Sequence, residues 1–206
     1  KDYYPQEELD ADYEVRVPSG LELDRLDGKS YVRAYTFSTP VLFYNDDIVR
    51  EVGLDHEQPP ETWAESRDAG MKIAEKTDYL PLATGIYGPT ALDWLMQGVI
   101  NSNGGSVITK DRTRMTFAEP ESVEAVKMLR DLAQNGITEN LSITAQMEGM
   151  ASGQTAMYLQ TSAIQGYLMK GAKDNFELRP AAMPAFGHKP VKPSTWRYPL
   201  LVPKIL

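Results

Sequence analysis

The chain has 206 residues, of which 42% are hydrophobic and 24% are charged, a composition typical of an ordinary globular protein. Its formal net charge of -8 argues against nucleic-acid binding, which needs a basic face along the phosphate backbone. The sequence contains no cysteine, which excludes disulfides, thiolate zinc sites and a cysteine nucleophile, and no apolar run approaches the ~18 residues that a membrane-spanning helix needs.

Strands are predicted at intervals from residue 31 onward. Short runs rich in β-branched and aromatic residues, bounded by Gly, Pro or Asn, are typical of strands, whereas residues 1–30 are acidic and polar with a turn at 18–20. In chain order the predicted strands lie in residues 31–44 (one or two strands, broken near Pro40), 80–84, 107–117 (a pair around a charged turn), 155–159, 176–182 and 198–202.

Helices are predicted between the strands, from caps at their starts and glycines at their ends. Thr62 and Glu65 have the Thr-x-x-Glu spacing of a capping box, and Pro120 begins a helix that Gly136 ends. In chain order the predicted helices are 46–52 (capped by Asn45), 62–76, 91–102, 120–135, 142–153 and 162–169. The apolar positions assigned to the 120–135 helix are Val123, Val126, Leu129, Leu132 and Ala133. Strands that alternate with helices predict an α/β layered domain with a largely parallel sheet.

Motifs of common enzymes and metal sites are incomplete. Gly28-Lys29-Ser30 ends like a phosphate-binding loop, but Leu23 stands where that motif needs its first glycine. Asn45-Asp46-Asp47 lacks the glycine and the distal glutamate of a calcium loop, so helix capping is the better interpretation. His56 and His188 lie in Pro-containing loops without a second ligand at helical spacing. We therefore predict no metal, no organic cofactor and no catalytic residues.

The loop after the 80–84 strand is the first candidate ligand site, because ligands of open α/β sheets lie beyond the carboxyl ends of strands and beside helix N-termini. Tyr87 and Trp94 offer rings that can stack on the apolar face of a sugar, and Thr90 and Asp93 offer hydrogen bonds to its hydroxyls. For Trp94, packing in the core is an equally good interpretation, since tryptophan is often largely buried.

Gln160-Thr161-Ser162 is the second candidate, because it follows a predicted strand and begins a predicted helix. The alternative is simple helix capping by Thr161 or Ser162. Both roles can hold together, since a ligand can bind the remaining main-chain amides.

Several short motifs also occur in a fixed order and spacing. Each alone is ordinary turn or cap chemistry. They are Ser38-Thr39-Pro40-Val41-Leu42-Phe43-Tyr44-Asn45, Gly53-Leu54-Asp55, Pro59-Pro60-Glu61-Thr62-Trp63, Asn103-Gly104-Gly105, Phe117-Ala118-Glu119-Pro120-Glu121 and Ser152-Gly153-Gln154-Thr155-Ala156-Met157. Together, over residues 28–206, they resemble the extracellular solute-binding proteins of bacterial ABC importers, and most closely the sugar-binding group that includes the maltose- and glycerol-3-phosphate-binding proteins.

The resemblance implies a periplasmic-binding-protein-like (type II) α/β fold, in which two lobes joined by crossing strands hold the ligand between them. Residues 39–193 are then one nearly complete lobe, residues 1–38 are a remnant of the first lobe that leads into the hinge, and residues 194–206 are the return hinge strand. Since a complete family member has two full lobes, we expect this chain to be a fragment, with a secretion signal or a lipid-anchoring cysteine upstream of Lys1.

The ligand contacts implied by the resemblance join the two candidate loops to the two crossings. The predicted ligand-binding residues are Ser38, Thr39, Tyr87, Thr90, Asp93, Trp94, Gln160, Thr161, Ser162, Trp196 and Arg197. Two departures from the family pattern leave the ligand open. Ala163 and Ile164 stand where many sugar binders have a stacking Gly-x-Trp, and Trp196-Arg197 stands where many have paired glycines.

The predicted function is therefore the capture of a carbohydrate, either an oligosaccharide or a sugar or polyol derivative, for import through the membrane subunits of an ABC transporter. The protein is expected to be extracytoplasmic, in the periplasm or on the cell surface by a lipid anchor, and monomeric when full length. Ser38-Thr39-Pro40 and Arg197 keep a glycerol-3-phosphate or glycerophosphodiester ligand as the alternative. From other classes, a carbohydrate-active enzyme and a protein-interaction module remain alternatives.

Overall fold

The computed structural model describes residues 5–16, 25–26, 29–30, 33–87, 92–194 and 196–200. The chain divides into two compact units, which we call the minor unit (Lys1–Ser38 with Trp196–Leu206) and the major unit (Thr39–Thr195). The helices are α1 (Gln6–Glu14), α2 (Asp46–Glu51), α3 (Trp63–Lys76), α4 (Leu92–Ser102), α5 (Pro120–Gln134), α6 (Ile143–Ala151) and α7 (Gln165–Ala172). The strands are β1 (Arg25–Leu26), β2 (Lys29–Ser30), β3 (Arg33–Ser38), β4 (Pro40–Asn45), β5 (Leu80–Thr84), β6 (Thr155–Thr161), β7 (Leu178–Ala181) and β8 (Trp196–Leu200).

The minor unit contains α1 and two antiparallel strand pairs. β1 pairs with β2, and β3 pairs with β8, with Ser38 opposite Trp196 and Phe37 opposite Arg197. The sequence did not predict α1, because this acidic segment has few apolar residues at helical spacing. The turn predicted at residues 18–20 lies outside the described residues.

The major unit is built on a four-stranded sheet with the order β5-β6-β4-β7. β5 and β6 are parallel, but β4 is antiparallel to both of its neighbours, β6 and β7. The prediction of a largely parallel sheet is therefore wrong. Alternation of strands and helices along the chain does not fix strand direction here, because β4 enters the sheet directly after β3, without a crossover helix.

The two faces of this sheet bury separate apolar cores. Side chains of successive strand residues point to opposite faces, so Leu42 and Tyr44 join the larger core while Phe43 joins the smaller one. Helices α3, α4 and α5 cover the larger core, and α6 and α7 cover the smaller one through Met150 and Leu168. The major unit thus has helices on both faces of its sheet, which leaves the ends of the strands as the places for loops.

The predicted caps at Asn45 and at Thr62 with Glu65 are confirmed. The Asn45 side chain accepts hydrogen bonds from the amides of Asp47 and Ile48, at 3.1 and 3.3 Å. Thr62 and Glu65 form the reciprocal capping box at the start of α3. Such bonds satisfy main-chain donors that a helix leaves unpaired at its N-terminus, which explains why they can be predicted from a few adjacent residues.

The predicted apolar face of α5 is only partly correct. Leu129 and Leu132 are buried, but Val126 is 45% exposed and Ala133 is exposed, while Ala125 is fully buried. The buried stripe follows Ser122, Ala125, Leu129 and Leu132, an uninterrupted spacing of three and four residues. Val126 lies one residue off that stripe.

The strand pair predicted in residues 107–117 is reduced to an isolated bridge between Ile108 and Met115. The other predicted strands are present with boundaries shifted by a few residues, and residue 202, where the last one was expected to end, lies outside the described residues. Among the described residues, none of the helices combines the length and apolar character needed to cross a membrane.

Candidate functional site

One edge of the major sheet collects the strand ends that the sequence predicted for ligand binding. β5 and β6 are parallel, so their carboxyl ends at Thr84 and Thr161 lie at the same edge. β4 is antiparallel to β6, and Pro40 at its start pairs with Thr161. β7 also ends at this edge, because it is antiparallel to β4. We call this the ligand edge, the position at which open α/β sheets place their ligands.

At this edge Thr39 and Ser162 hold β4 and β6 together. The Ser162 amide donates to the Thr39 carbonyl at 2.8 Å, and the Thr39 amide donates to the Ser162 hydroxyl at 3.3 Å. Thr161 accepts the amide of Ala163 at 3.1 Å and so caps the short 3-10 turn that leads into α7. The capping interpretation is confirmed for Thr161, whereas the Ser162 hydroxyl pairs with Thr39. Thr39, Thr161 and Ser162 remain partly exposed, so a ligand can still reach them.

Gln160, the residue before Thr161 in β6, is buried, with 3% of its surface exposed. Its side-chain oxygen accepts the Thr161 amide at 2.9 Å, and its side-chain nitrogen lies 3.4 Å from the Tyr158 hydroxyl. Burial raises the pKa of Tyr158 to about 12, although the contact with Gln160 opposes that rise. Tyr158 is not among the predicted site residues, yet the sequence carried a signal for it: residues two apart on a strand share a face, so Tyr158 and Gln160 are neighbours.

The first candidate loop is only partly described. The main chain of Gly85–Tyr87 forms a 3-10 turn directly after β5, while Thr90 and the side chain of Tyr87 lie outside what the structure describes. Asp93 is exposed in the first turn of α4. Trp94 is 9% exposed and belongs to the larger core, so the packing interpretation is confirmed for this residue and a ligand contact stays a prediction.

The predicted residues of the two crossings are described mainly through their main chain. Ser38 is 6% exposed and pairs with Trp196, and Phe37 pairs with Arg197, all within the minor unit. The side chains of Trp196 and Arg197 lie outside the described residues. Their ligand contacts therefore stay predictions.

A cluster of charged residues lies at the opposite end of β4. The carboxylate of Asp46 is completely buried, with Arg50 Nε 2.7 Å from Oδ2 in an ion pair without hydrogen-bond geometry. Arg179 Nε and His56 Nδ1 each lie 3.1 Å from Oδ1. The hydrogen bond and charge of Arg179 hold the pKa of Glu57 below its usual value. This cluster, which includes His56, ties the loop after α2 to β7.

Nearly the whole chain matches one family of known proteins. The sequence model for "Bacterial extracellular solute-binding protein" matches residues 4–205. The chain belongs to this family. The resemblance drawn from the motifs is thereby confirmed.

Among the described residues, the structure shows no group of three or more His, Cys, Asp or Glu side chains that can hold a metal ion.

Relatives in this solute-binding family include glycerol-3-phosphate-binding proteins. The chain is 29% identical over 178 residues to the sn-glycerol-3-phosphate-binding periplasmic protein UgpB of Pectobacterium atrosepticum, covering 82% of this chain and 39% of that protein. It is 28% identical over 174 residues to UgpB of Escherichia coli, with the same coverage. The chain thus spans about two fifths of the length of these relatives.

Solved structures of solute-binding proteins share the fold. UgpB from Mycobacterium tuberculosis, in complex with glycerophosphocholine, superposes with a TM-score of 0.79 at 22% identity, over 95% of this chain and 48% of that one. The cyclic alpha-maltosyl-1,6-maltose binding protein from Arthrobacter globiformis gives 0.71 at 25% identity, over 86% of this chain and 44% of that one. The expected periplasmic-binding-protein-like α/β fold is therefore confirmed, as a part of that fold.

Proposed function

We propose that this chain is part of the substrate-binding component of an ABC importer, and that it captures a carbohydrate or related polyol outside the cytoplasmic membrane. The major unit corresponds to one lobe of such a protein, and the β3–β8 pair corresponds to the crossings between lobes. The membrane subunits of the importer are the proposed partners, and the periplasm or the outer face of the membrane is the proposed location.

The ligand edge carries this proposal. It gathers the partly exposed hydroxyl residues Thr39, Thr161 and Ser162 around a strand end that leads through a short 3-10 turn into α7. Hydroxyl and amide groups that are already fixed by neighbouring bonds can bind the hydroxyls of a polyol without being ordered first, which favours affinity. The amides at the start of a helix add donors for ligand oxygens.

Capture without chemical conversion is part of the proposal, because the family is described by solute binding. In such a protein, a ligand held by contacts from two lobes favours the closed arrangement of those lobes. A carbohydrate-active enzyme would instead consume its ligand, which a product assay on the incubated mixture detects.

A glycerol-3-phosphate or glycerophosphodiester ligand is the second candidate. The relatives from Pectobacterium atrosepticum and Escherichia coli are named for binding sn-glycerol-3-phosphate, and this specific similarity supports the alternative. Like sugars, these glycerol-based ligands carry hydroxyl groups, so the ligand edge suits both classes of ligand. Their phosphate distinguishes them, because it needs a cationic or amide-rich contact.

The test is a thermal-shift screen of the full-length protein with sugars, oligosaccharides, glycerol-3-phosphate and glycerophosphodiesters, followed by calorimetry on each hit. A ligand that binds only the folded state raises the melting temperature in proportion to the logarithm of its concentration over Kd. A panel without any stabilising compound, or conversion of a hit to products, would refute the proposal.

The substitution Ser162→Ala tests whether the ligand binds at the ligand edge. Loss of one neutral hydrogen bond should weaken affinity by roughly two- to twelvefold, corresponding to about 0.5–1.5 kcal/mol. The matched control is Ser152→Ala, because Ser152 is an exposed serine just before the opposite end of β6. Equal affinities for the two variants would move the site away from this edge.

A further inference from the structure

A hairpin between α4 and α5 presents features that solute binding does not use. Ile108 and Met115 form an antiparallel bridge, and the amide of Thr109 donates to the carbonyl of Arg114 at 2.9 Å. The amide of Thr116 donates to the carbonyl of Val107 at 3.1 Å. We call residues 107–117 the basic hairpin. These bonds fix its main chain, so its side chains have defined faces.

One face of the basic hairpin exposes large apolar side chains. Ile108 is 39% exposed, Met115 is 60% exposed and Phe117 is 49% exposed. Bridge partners point to the same side, so Ile108 and Met115 lie together, and Phe117 is exposed two residues further on, in the turn that leads into α5. Thr116, which follows Met115, is 3% exposed and faces the interior.

The turn of the basic hairpin carries exposed cations. Lys110, Arg112 and Arg114 are exposed, and Arg114 forms an ion pair of 2.8 Å with Glu119. The one acidic residue of the turn, Asp111, accepts hydrogen bonds within the hairpin, and those bonds hold the pKa of its carboxyl below the usual value. The Asp111 carboxyl therefore stays ionised, but Lys110 and Arg112 outnumber it, so the tip keeps a net positive charge on a chain whose formal net charge is -8.

The main chain at Arg112 adds an independent observation. Its φ is 58°, in the left-handed region that glycine and asparagine occupy with less strain. A tight turn of this kind ordinarily uses those residues. An arginine at such a position is consistent with a role for its charge at the tip, because the local geometry alone favours a smaller residue.

We propose that the basic hairpin is a contact element for an anionic lipid bilayer. Apolar side chains flanked by Lys and Arg are the combination that lies in the boundary between headgroups and acyl chains. A bilayer accepts this face without a shaped pocket, whereas an acidic protein partner would need matching geometry. At physiological ionic strength the Debye length is about 8 Å, so the acidic charges elsewhere on the chain are largely screened while the hairpin touches the surface.

The test is co-sedimentation of the full-length protein with two kinds of vesicle in physiological salt. One kind contains phosphatidylcholine alone, and the other contains phosphatidylcholine and phosphatidylglycerol in equal amounts. We expect weak, reversible binding only to the anionic vesicles, independent of any sugar. Arg112→Gly should lower the apparent affinity roughly fivefold, the equivalent of one cation near the surface. The same variant should melt no lower than the parent, because glycine relieves the left-handed backbone.

Matched variants separate this contact from a general charge effect. Phe117→Ser should also weaken binding, whereas Lys72→Gln and Met71→Ser, at exposed positions on α3, should leave it unchanged. Equal binding to neutral and anionic vesicles, no binding to either, or equal losses in the α3 variants would overturn the proposal. Cross-linking of the hairpin to a protein partner without vesicle binding would overturn it too. Because no solute is present, failure here leaves the proposed solute binding standing.

Discussion

Replacement of Asp46 by asparagine should destabilise the major unit without weakening ligand binding. The Asp46 carboxylate is 0% exposed and lies within 3.1 Å of nitrogen atoms on Arg50, Arg179 and His56. Asparagine keeps the size of the side chain, but its amide nitrogen can only donate hydrogen bonds and therefore faces donors. The substitution removes the negative charge that compensates the neighbouring Arg50 and Arg179.

The size of the effect follows from the exposure of the partners. Breaking a fully buried ion pair costs about 3–5 kcal/mol, because an uncompensated charge stays buried. Here the Arg50 side chain is 49% exposed and the Arg179 side chain is 25% exposed, and both also lie near Glu177. Water and Glu177 therefore compensate part of the loss, and we expect about 2–3 kcal/mol. For a protein of this size that is a drop in melting temperature of about 4–12 °C.

The assay is urea unfolding followed by tryptophan fluorescence, with Asp47→Asn as the control. Asp47 is exposed in the same first turn of α2, so its loss removes the same charge but only a helix-dipole contribution of about 0.3–1 kcal/mol. Equal destabilisation by both substitutions would refute the reasoning. A large loss of ligand affinity in Asp46→Asn would also refute it, because the six residues of β4 separate Asp46 from the ligand edge by about 20 Å.

Three further substitutions, one of them with a control variant, test other contacts of the major unit. Thr62→Ala removes the acceptor for the Glu65 amide and should lower the free energy of unfolding by about 1 kcal/mol in the urea assay; no change would mean that the capping box does not stabilise α3. The pKa of Tyr158 is raised to about 12 from 10.0, so its neutral form stabilises the fold fully below pH 10, and that contribution of about 2–3 kcal/mol is lost as the pH rises from 10 to 12. Unfolding measured across that range should depend less steeply on pH in Tyr158→Phe, and identical slopes would contradict the burial argument. Gly171→Ala places a methyl group 2.6 Å from the main-chain oxygen of Ala151 and should cost about 1–3 kcal/mol by thermal unfolding, whereas Gly166→Ala in the same helix, which meets no atom within 4 Å, should not destabilise the protein.

Local chemistry made much of the major unit predictable. The Asn45 cap, the Thr62–Glu65 capping box and the glycine that ends α5 each involve residues within a few positions of one another. The free energy of such bonds depends on adjacent residues alone, so a short stretch of sequence is sufficient to predict them. The order of the motifs also identified the family, which the match over residues 4–205 confirms.

The burial of individual side chains was less predictable. From the sequence, Trp94 was equally compatible with a ligand contact and with packing in the core. Only its packing against residues from other elements shows that it belongs to the core. Asp46 suited a cap, yet it is buried because Arg179, far along the chain, supplies a compensating charge. A buried charge is tolerated only with such a partner, and the sequence alone does not show which distant residue provides it.

The sequence by itself determined most elements of the major unit, the caps at Asn45 and Thr62, and the family, because these depend on residues that are neighbours in the chain. The tertiary structure decided the antiparallel direction of β4 and the assembly of the ligand edge. The contact between Thr39 and Ser162 joins residues 123 positions apart, and that between Glu57 and Arg179 joins residues 122 apart. Such pairings form only when the apolar faces of the strands and helices are buried together, so they depend on the whole fold rather than on any local pattern.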